Sequence, residues 1–206
     1  MAFALPVKIR VKKIRHGGIK IDYPEIIALQ DNKIKQTINQ EIVKRVKRLV
    51  DEQYKQQGTE HFTEMIGSFE IKTNERNILS MTFGNYAYAE GFAHGLTLMN
   101  SLTVDTKSGR VYSLQDLFKG GSDYVKEISQ MIKMQIKERD IPVLNSFTAI
   151  SKDQSYYLAD KCLVIYFQAY DITPGYVGLP VFPVNGFMLE DILIDDGPLA
   201  RLLPTV

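Results

Sequence analysis

The stretch that decides the fold is DNKIKQTINQEIVKRVKRLVDEQYKQQG, residues 31–58. Its apolar residues recur every three or four positions, the spacing of one helical face, and they are Ile34, Ile38, Ile42, Val46, Leu49, Val50 and Tyr54. Asp31 suits an N-cap, and Gly58 suits the left-handed residue that ends a helix. The stretch therefore predicts a long helix with one apolar side, which packs across a sheet.

The segment before this helix alternates apolar and basic residues. In VKIRVKKIRHGGIKIDYP (7–24) the alternation slips at Lys13–Ile14, and the glycines after His16 supply a turn. We predict a hairpin with a bulge at Lys13–Ile14, ended by Pro24. The basic residues of its first strand are interpreted as a solvated face.

The segments after the helix are typical of strands, with one further helix between them. β-branched and aromatic residues dominate SFEIKT (68–73), NILSMTFGNYAYAEG (77–91), LTLMNSLTVDT (96–106) and SYYLADKCLVIYFQAYDI (155–172). A second apolar stripe begins at Tyr124 after a cap at Ser122 or Asp123, and Ile141–Pro142 closes it. TPGYVGLPVFPV (173–184) is too rich in proline and glycine for a central strand and predicts a loop followed by an edge strand.

This order of elements predicts an α+β protein: an antiparallel sheet with two amphipathic helices packed on one face. We expect residues 1–197 to form one domain, whose parts of about 1–102 and 103–197 share one sheet. Residues 198–206 are expected to form a loose C-terminal tail.

Composition narrows the classes of function. A net charge of +1 with 45% hydrophobic and 24% charged residues fits a globular domain and gives no reason to expect nucleic acid as a partner. No apolar run reaches the length of a membrane span, and no leader-like stretch opens the chain, so no membrane segment is expected and the compartment stays open.

Residues with catalytic or metal-binding chemistry are sparse and scattered. The three histidines lie far apart, the single Cys162 lies in the apolar run CLVIYF, and no nucleophile elbow is present. We therefore predict no catalytic residue, no metal site and no cofactor. Glu90 and His94, within YAEGFAHG (88–95), are the one acid–imidazole pair that would share a face if this stretch were a strand.

Tyrosine is the more informative residue type, with eleven copies and no tryptophan in the chain. Several fall in or beside predicted strands, where alternation turns some outward. Exposed tyrosines on a rigid sheet suit the binding of sugars or proteins, although tyrosine also simply forms good strands. The candidate binding residues are Glu90, His94, Tyr170, Pro174 and Tyr176.

Four stretches together resemble one family: YPEI (23–26) before a helix with INQEI (38–42); EGFAHG (90–95); TVDTKSGRVYSLQDLF (103–118); and LVIYFQAYDITPGYVGLPVFPV (163–184). They resemble the uncharacterised α+β domain found in the extracytoplasmic region of RsiV-type anti-sigma factors and N-terminal to PdaC-type peptidoglycan deacetylases. Phe92 departs from the family pattern, which usually reads Gly-Gly-Ala-His here.

The resemblance implies a mostly extracytoplasmic domain that RsiV-like members use to bind lysozyme, whereas the chemistry of PdaC-like members lies in a separate catalytic domain. The first expectation is a non-enzymatic recognition or sensor-type domain, with a wall-acting protein such as lysozyme, or a peptidoglycan fragment, as its partner. The alternative is a hydrolase of cell-wall sugars that uses Glu90 and His94. In the first case His94 is structural, with its imidazole bonded to nearby main chain or to a tyrosine hydroxyl.

Overall fold

The structure, a computed structural model, describes residues 6–203, which divide into two compact units, one up to residue 111 and one from residue 112. The predicted α+β class is confirmed. The strands and helices are β1 (Lys8–His16), β2 (Ile19–Ala28), α1 (Asn32–Gln57), β3 (Glu64–Glu75), β4 (Ile78–Tyr88), β5 (Leu96–Asp105), α2 (Tyr124–Glu138), β6 (Tyr156–Ala159), β7 (Cys162–Tyr166) and β8 (Val181–Asn185). Among the described residues, no helix is long and apolar enough to cross a membrane.

The first unit is a five-stranded sheet in the order β1-β2-β3-β4-β5, packed against α1. Its strand pairs are antiparallel except β2 with β3, which pair in parallel over Ile19–Ile21 and Met65–Gly67. The apolar stripe of α1 meets inward residues of β2, β4 and β5 in one core, which includes Ile38, Ile42, Met81, Phe83 and Leu102. Removing this apolar surface from water is the main stabilising contribution to the unit.

The two predicted caps of α1 are present. The Asp31 carboxylate accepts hydrogen bonds from the backbone N–H groups of Lys33 and Ile34, which otherwise have no partner in the first helical turn. Gly58 takes a left-handed backbone with φ 63°, and its N–H donates to Tyr54 O. The caps explain why the helix begins and ends where the sequence predicts.

The N-terminal hairpin is present, with two corrections. The bulge predicted at Lys13–Ile14 is wrong, because the register is regular from Ile9 to His16 and shifts only between Lys8 and Ile9. Pro24 does not end β2, which continues to Ala28. Since β3 pairs with β2 only as far as Ile21, Pro24 lies where one edge of β2 has no ladder bonds, and proline is tolerated there.

The second unit is a three-stranded antiparallel sheet in the order β6-β7-β8, with α2 packed against β8. Asp160 forms the predicted turn between β6 and β7 with φ 52°. Asp123 is the N-cap residue of α2, as one of the two alternatives predicted, although its side chain makes no capping hydrogen bond. β8 is an edge strand preceded by a loop, as TPGYVGLPVFPV predicts.

Two predictions about domain organisation are wrong. The strands form two sheets, not one shared sheet, because within residues 6–203 no strand of the first unit pairs with a strand of the second. The segment from 198 is not a loose tail over its described part: Leu199, Leu202 and Leu203 are buried, and Ala200–Leu202 form a 3₁₀ turn. Residues 204–206 lie outside the described residues.

Candidate functional site

Glu90 and His94 lie in the loop between β4 and β5, residues 89–95, so they are not on a strand. Both side chains are exposed. Gly91 has φ 90°, a left-handed backbone that favours glycine, and the N–H of Phe92 donates to Ala89 O across the turn. Phe92 itself has no left-handed backbone, so the second position of the family's glycine pair accepts a side chain in this chain.

The His94 imidazole has a local main-chain partner. Its Nδ1 lies 3.0 Å from Gly95 O, to which it donates when that nitrogen carries the proton. This contact is the one that the structural interpretation of His94 expects. Whether His94 also contacts a binding partner stays a prediction.

At Gly95 a side chain is opposed by lack of space and not by the backbone angles. A Cβ built on Gly95 would lie 2.4 Å from Cε2 of Tyr86, so the tyrosine ring rests directly against the Gly95 backbone. The sequence predicts that Gly95 permits a bend, but its φ is not left-handed. The glycine instead lets an aromatic ring of β4 cover the end of the loop.

Two glutamines of α1 hold the stems of this loop. Gln53, which is fully buried, donates through Nε2 to Asn85 O at 2.9 Å and to Leu96 O at 3.0 Å. Gln57 donates to the Gln53 side chain and to Ala87 O. One helix therefore fixes the last residues of β4 and the first residue of β5, and the loop between them starts and ends on rigid backbone.

Tyr170, Pro174 and Tyr176 lie in a second loop, between β7 and β8 in the other unit. Tyr176 is 83% exposed and Tyr170 is 51% exposed, which confirms that both point outward. Pro174 precedes the 3₁₀ turn Gly175–Val177 that carries Tyr176. A Cβ on Gly175 would lie 2.2 Å from Cζ of Tyr170, so this ring too rests on a glycine.

The predicted residues thus fall into two groups, each in its own unit. Neither Glu90 nor His94 is buried, whereas the acid–base residues of a sugar hydrolase act in a concave pocket that encloses the substrate. The hydrolase alternative gains no support from this geometry. Among residues 6–203, no group of three His, Cys, Asp or Glu side chains is arranged to hold a metal ion.

Gln53 and Gln57 were missed by sequence reasoning. Gln53 follows Leu49 by four residues and therefore continues the apolar stripe of α1 with a polar side chain. A polar residue in line with a buried apolar stripe needs hydrogen-bond partners inside the protein. This position was therefore the sequence signal that could have identified Gln53.

Two protein families match successive parts of the chain. "Deacetylase PdaC" matches residues 13–97, and "Protein of unknown function (DUF3298)" matches residues 115–185. Among curated proteins, Anti-sigma-V factor RsiV of Bacillus subtilis (strain 168) is 26% identical over 194 residues, which cover 87% of this chain and 67% of that protein. Peptidoglycan-N-acetylmuramic acid deacetylase PdaC of the same strain is 25% identical over 145 residues, which cover 67% of this chain but only 31% of that protein.

Solved structures show the same fold. A DUF3298 family member from Bacteroides fragilis aligns over 98% of this chain and 97% of its own, with TM-score 0.65 and 16% identity. A DUF3298 family protein from Pseudomonas aeruginosa aligns over 98% of each chain, with TM-score 0.68 and 14% identity. The sequence matches make this chain similar to DUF3298-type domains related to RsiV and PdaC, and the solved structures show that it shares their fold.

Proposed function

We propose that this chain is a non-enzymatic recognition domain whose partner is a cell-wall glycan or a protein that acts on the wall. Its curated relatives support this class: one is an anti-sigma factor, and the other is named for an activity on peptidoglycan. The chain spans only about a third of the deacetylase, so that protein's own activity does not enter the proposal.

The single observation that carries the proposal is the exposure of Tyr176, 83%, at the tip of a short 3₁₀ turn. An aromatic side chain this exposed contributes nothing to the core, and a tyrosine ring offers an apolar face with a polar tip to a sugar or a protein. Tyr170 adds a second exposed ring in the same loop, seated on Gly175. Pro174 restricts the backbone that leads into the turn.

Lysozyme is the first protein to test, because the resemblance to RsiV-type proteins implies it. Muropeptides, the soluble fragments of peptidoglycan, are the first glycan. The two candidates differ in chemistry: lysozyme would cover a broad area including both rings, whereas a muropeptide would stack on one ring.

Isothermal titration calorimetry with each candidate tests the proposal. We expect one of them to bind, and Tyr176→Ala and Tyr170→Ala to weaken binding by about 1–2 kcal/mol or more each. Met188→Ala is the matched control, since Met188 is a 59% exposed apolar residue of the same unit outside this loop. Absence of heat with both candidates at high micromolar concentration, or equal losses in the control, would contradict the proposal.

The β4–β5 loop needs its own variants. If His94 and Glu90 contribute to binding either candidate, His94→Ala and Glu90→Gln weaken binding without lowering the melting temperature. If His94 is structural only, His94→Ala leaves the intrinsic affinity unchanged in samples shown to be folded.

A further inference from the structure

β1 is one of the two edge strands of the five-stranded sheet. It pairs with β2 along one side, and within residues 6–203 no strand pairs with its other side, which is its free edge. Eight of its nine residues are exposed. An edge strand presents unpaired N–H and C=O groups that can pair with another extended chain.

The charged residues of β1 are all positive. β1 contains no acidic residue and five cationic ones: Lys8, Arg10, Lys12, Lys13 and Arg15. β2 offers two carboxylates, and both are already engaged, Glu25 by Arg10 and Asp22 by Arg15. The hydrogen bond from Arg10 is the main reason that the pKa of Glu25 lies below its usual value, and Lys12 adds to the effect. The described residues supply no carboxylate within 4 Å of Lys8 or Lys13, so the strand keeps excess positive charge.

Both faces of β1 combine charge with an exposed apolar side chain. Strand alternation places Ile14, 42% exposed, on the same face as Arg10 and Lys12. Val11, 47% exposed, shares the opposite face with Lys13 and Arg15. A strand added to this edge would thus meet two cations and one apolar group on each face.

Lysines on an edge strand also have a protective effect, because like charges prevent two copies of the same edge from pairing. That effect makes a second copy of this chain an unfavourable occupant. The same charges attract an acidic strand. We propose that the free edge of β1 binds an extended acidic segment of a partner protein by strand addition, with Asp or Glu beside a Val or Ile on each face.

The probe is a fluorescein-labelled nine-residue peptide, (Glu-Glu-Val) repeated three times, which places Glu and Val on both faces of an extended strand. Fluorescence anisotropy with the full chain measures its affinity. Two comparison peptides separate the contributions: the charge-reversed (Lys-Lys-Val) repeat, and the acidic repeat N-methylated at every residue, so that neither edge of the peptide can donate. N-methylation removes backbone donors while the charge is kept.

We expect the acidic peptide to bind, the N-methylated one to bind about tenfold more weakly, and the basic one not to bind. In the protein, Lys12→Glu/Lys13→Glu should weaken binding about tenfold or more. Lys47→Glu/Arg48→Glu, the same charge change on exposed positions of α1, should leave most of the affinity. Circular dichroism checks that both variants are folded.

Three results would overturn the proposal. The acidic peptide does not bind; the N-methylated peptide binds as tightly as its parent, which leaves charge attraction without strand addition; or the α1 variant loses as much affinity as the β1 variant. If the β1 variant fails to fold, the comparison of the three peptides on the unmodified chain still decides the outcome. The proposal is independent of the tyrosine loop, so its failure leaves the proposed function untouched.

Discussion

The side-chain amide of Asn39 pairs with the backbone of Ile26 through two hydrogen bonds. Its Nδ2 donates to Ile26 O at 3.0 Å, and its Oδ1 accepts from Ile26 N at 2.8 Å. This is the pattern that a neighbouring strand would provide, and it occurs on β2 beyond the point where β3 stops pairing. Asn74 makes the same pair of bonds to Val7. A helix side chain thus replaces a missing strand for one residue.

Asn39→Ala should lower the free energy of unfolding by about 1–3 kcal/mol, because it leaves the N–H and C=O of Ile26 without their partner. Gln40→Ala is the matched control: the neighbouring residue is exposed on the same helix, and its loss should change stability by less than about 0.5 kcal/mol. Urea unfolding followed by circular dichroism measures both. Equal stability of the Asn39 variant and the parent would contradict the argument.

Gln53→Met should cost about 1–3 kcal/mol, since a side chain of similar volume removes the donor to Asn85 O and Leu96 O in a fully buried place. Amide hydrogen exchange should also become faster in the 89–95 loop, whose stems lose their attachment to α1. Gln56→Met is the control, because Gln56 is exposed and its side chain donates to Glu52 of its own helix. Unchanged exchange in the loop would show that β4 and β5 hold it without the helix.

Gly175→Ala should displace the ring of Tyr170, because the new Cβ would lie 2.2 Å from Cζ of that ring. The ring is half exposed and can be pushed outward by the new Cβ. We therefore expect the free energy of unfolding to fall by about 1 kcal/mol, the low end of the range for substitutions that overpack a protein. Gly120→Ala is the control, since its Cβ meets nothing within 4 Å and its φ is not left-handed. In a double-mutant cycle, Tyr170→Ala should abolish the cost of Gly175→Ala; additivity would place the strain elsewhere.

The Arg10–Glu25 pair predicts a pH dependence. The Arg10 hydrogen bond holds the pKa of Glu25 below its ordinary 4.5, so the folded state binds this proton less readily than the unfolded state. Its contribution to stability is then present above pH 4.5 and is lost as pH falls through the lowered folded value. The difference in urea midpoint between the parent and Glu25→Gln should shrink over that acidic range and in high salt. A difference that grows on acidification would contradict the sign.

Local features of the fold could be predicted because they depend on neighbouring residues. Asp31 and Gly58 fix the ends of α1 through bonds within a few residues, and the turn at Asp160 depends on its own backbone. Strand pairing depends on residues far apart in sequence. For this reason the prediction of one shared sheet was wrong, and the parallel β2–β3 pair was not predicted. The prediction that Pro24 ends its strand failed for the same reason, because nothing local shows that one edge of β2 lacks a neighbouring strand.

In the candidate site, too, features that depend on neighbouring residues could be predicted, and features that depend on distant residues could not. The exposure of Tyr170 and Tyr176 could be predicted from composition and a proline-rich loop. The part played by Gln53 could not, because its partners, Asn85 and Leu96, are brought to it only by the packing of α1 on the sheet. Likewise, the reason for Gly95 is the ring of Tyr86, a contact that its own backbone angles do not reveal.

The contact between the ring of Tyr170 and Gly175 has a consequence for the binding of a partner. A free tyrosine at a surface samples several rotamers, and a partner that holds it must oppose that entropy. Here one face of the half-exposed ring already lies against the Gly175 backbone, so part of that loss occurs when the chain folds and not when a ligand arrives. A reduced entropic penalty in calorimetry would be the thermodynamic signature of such a prearranged ring.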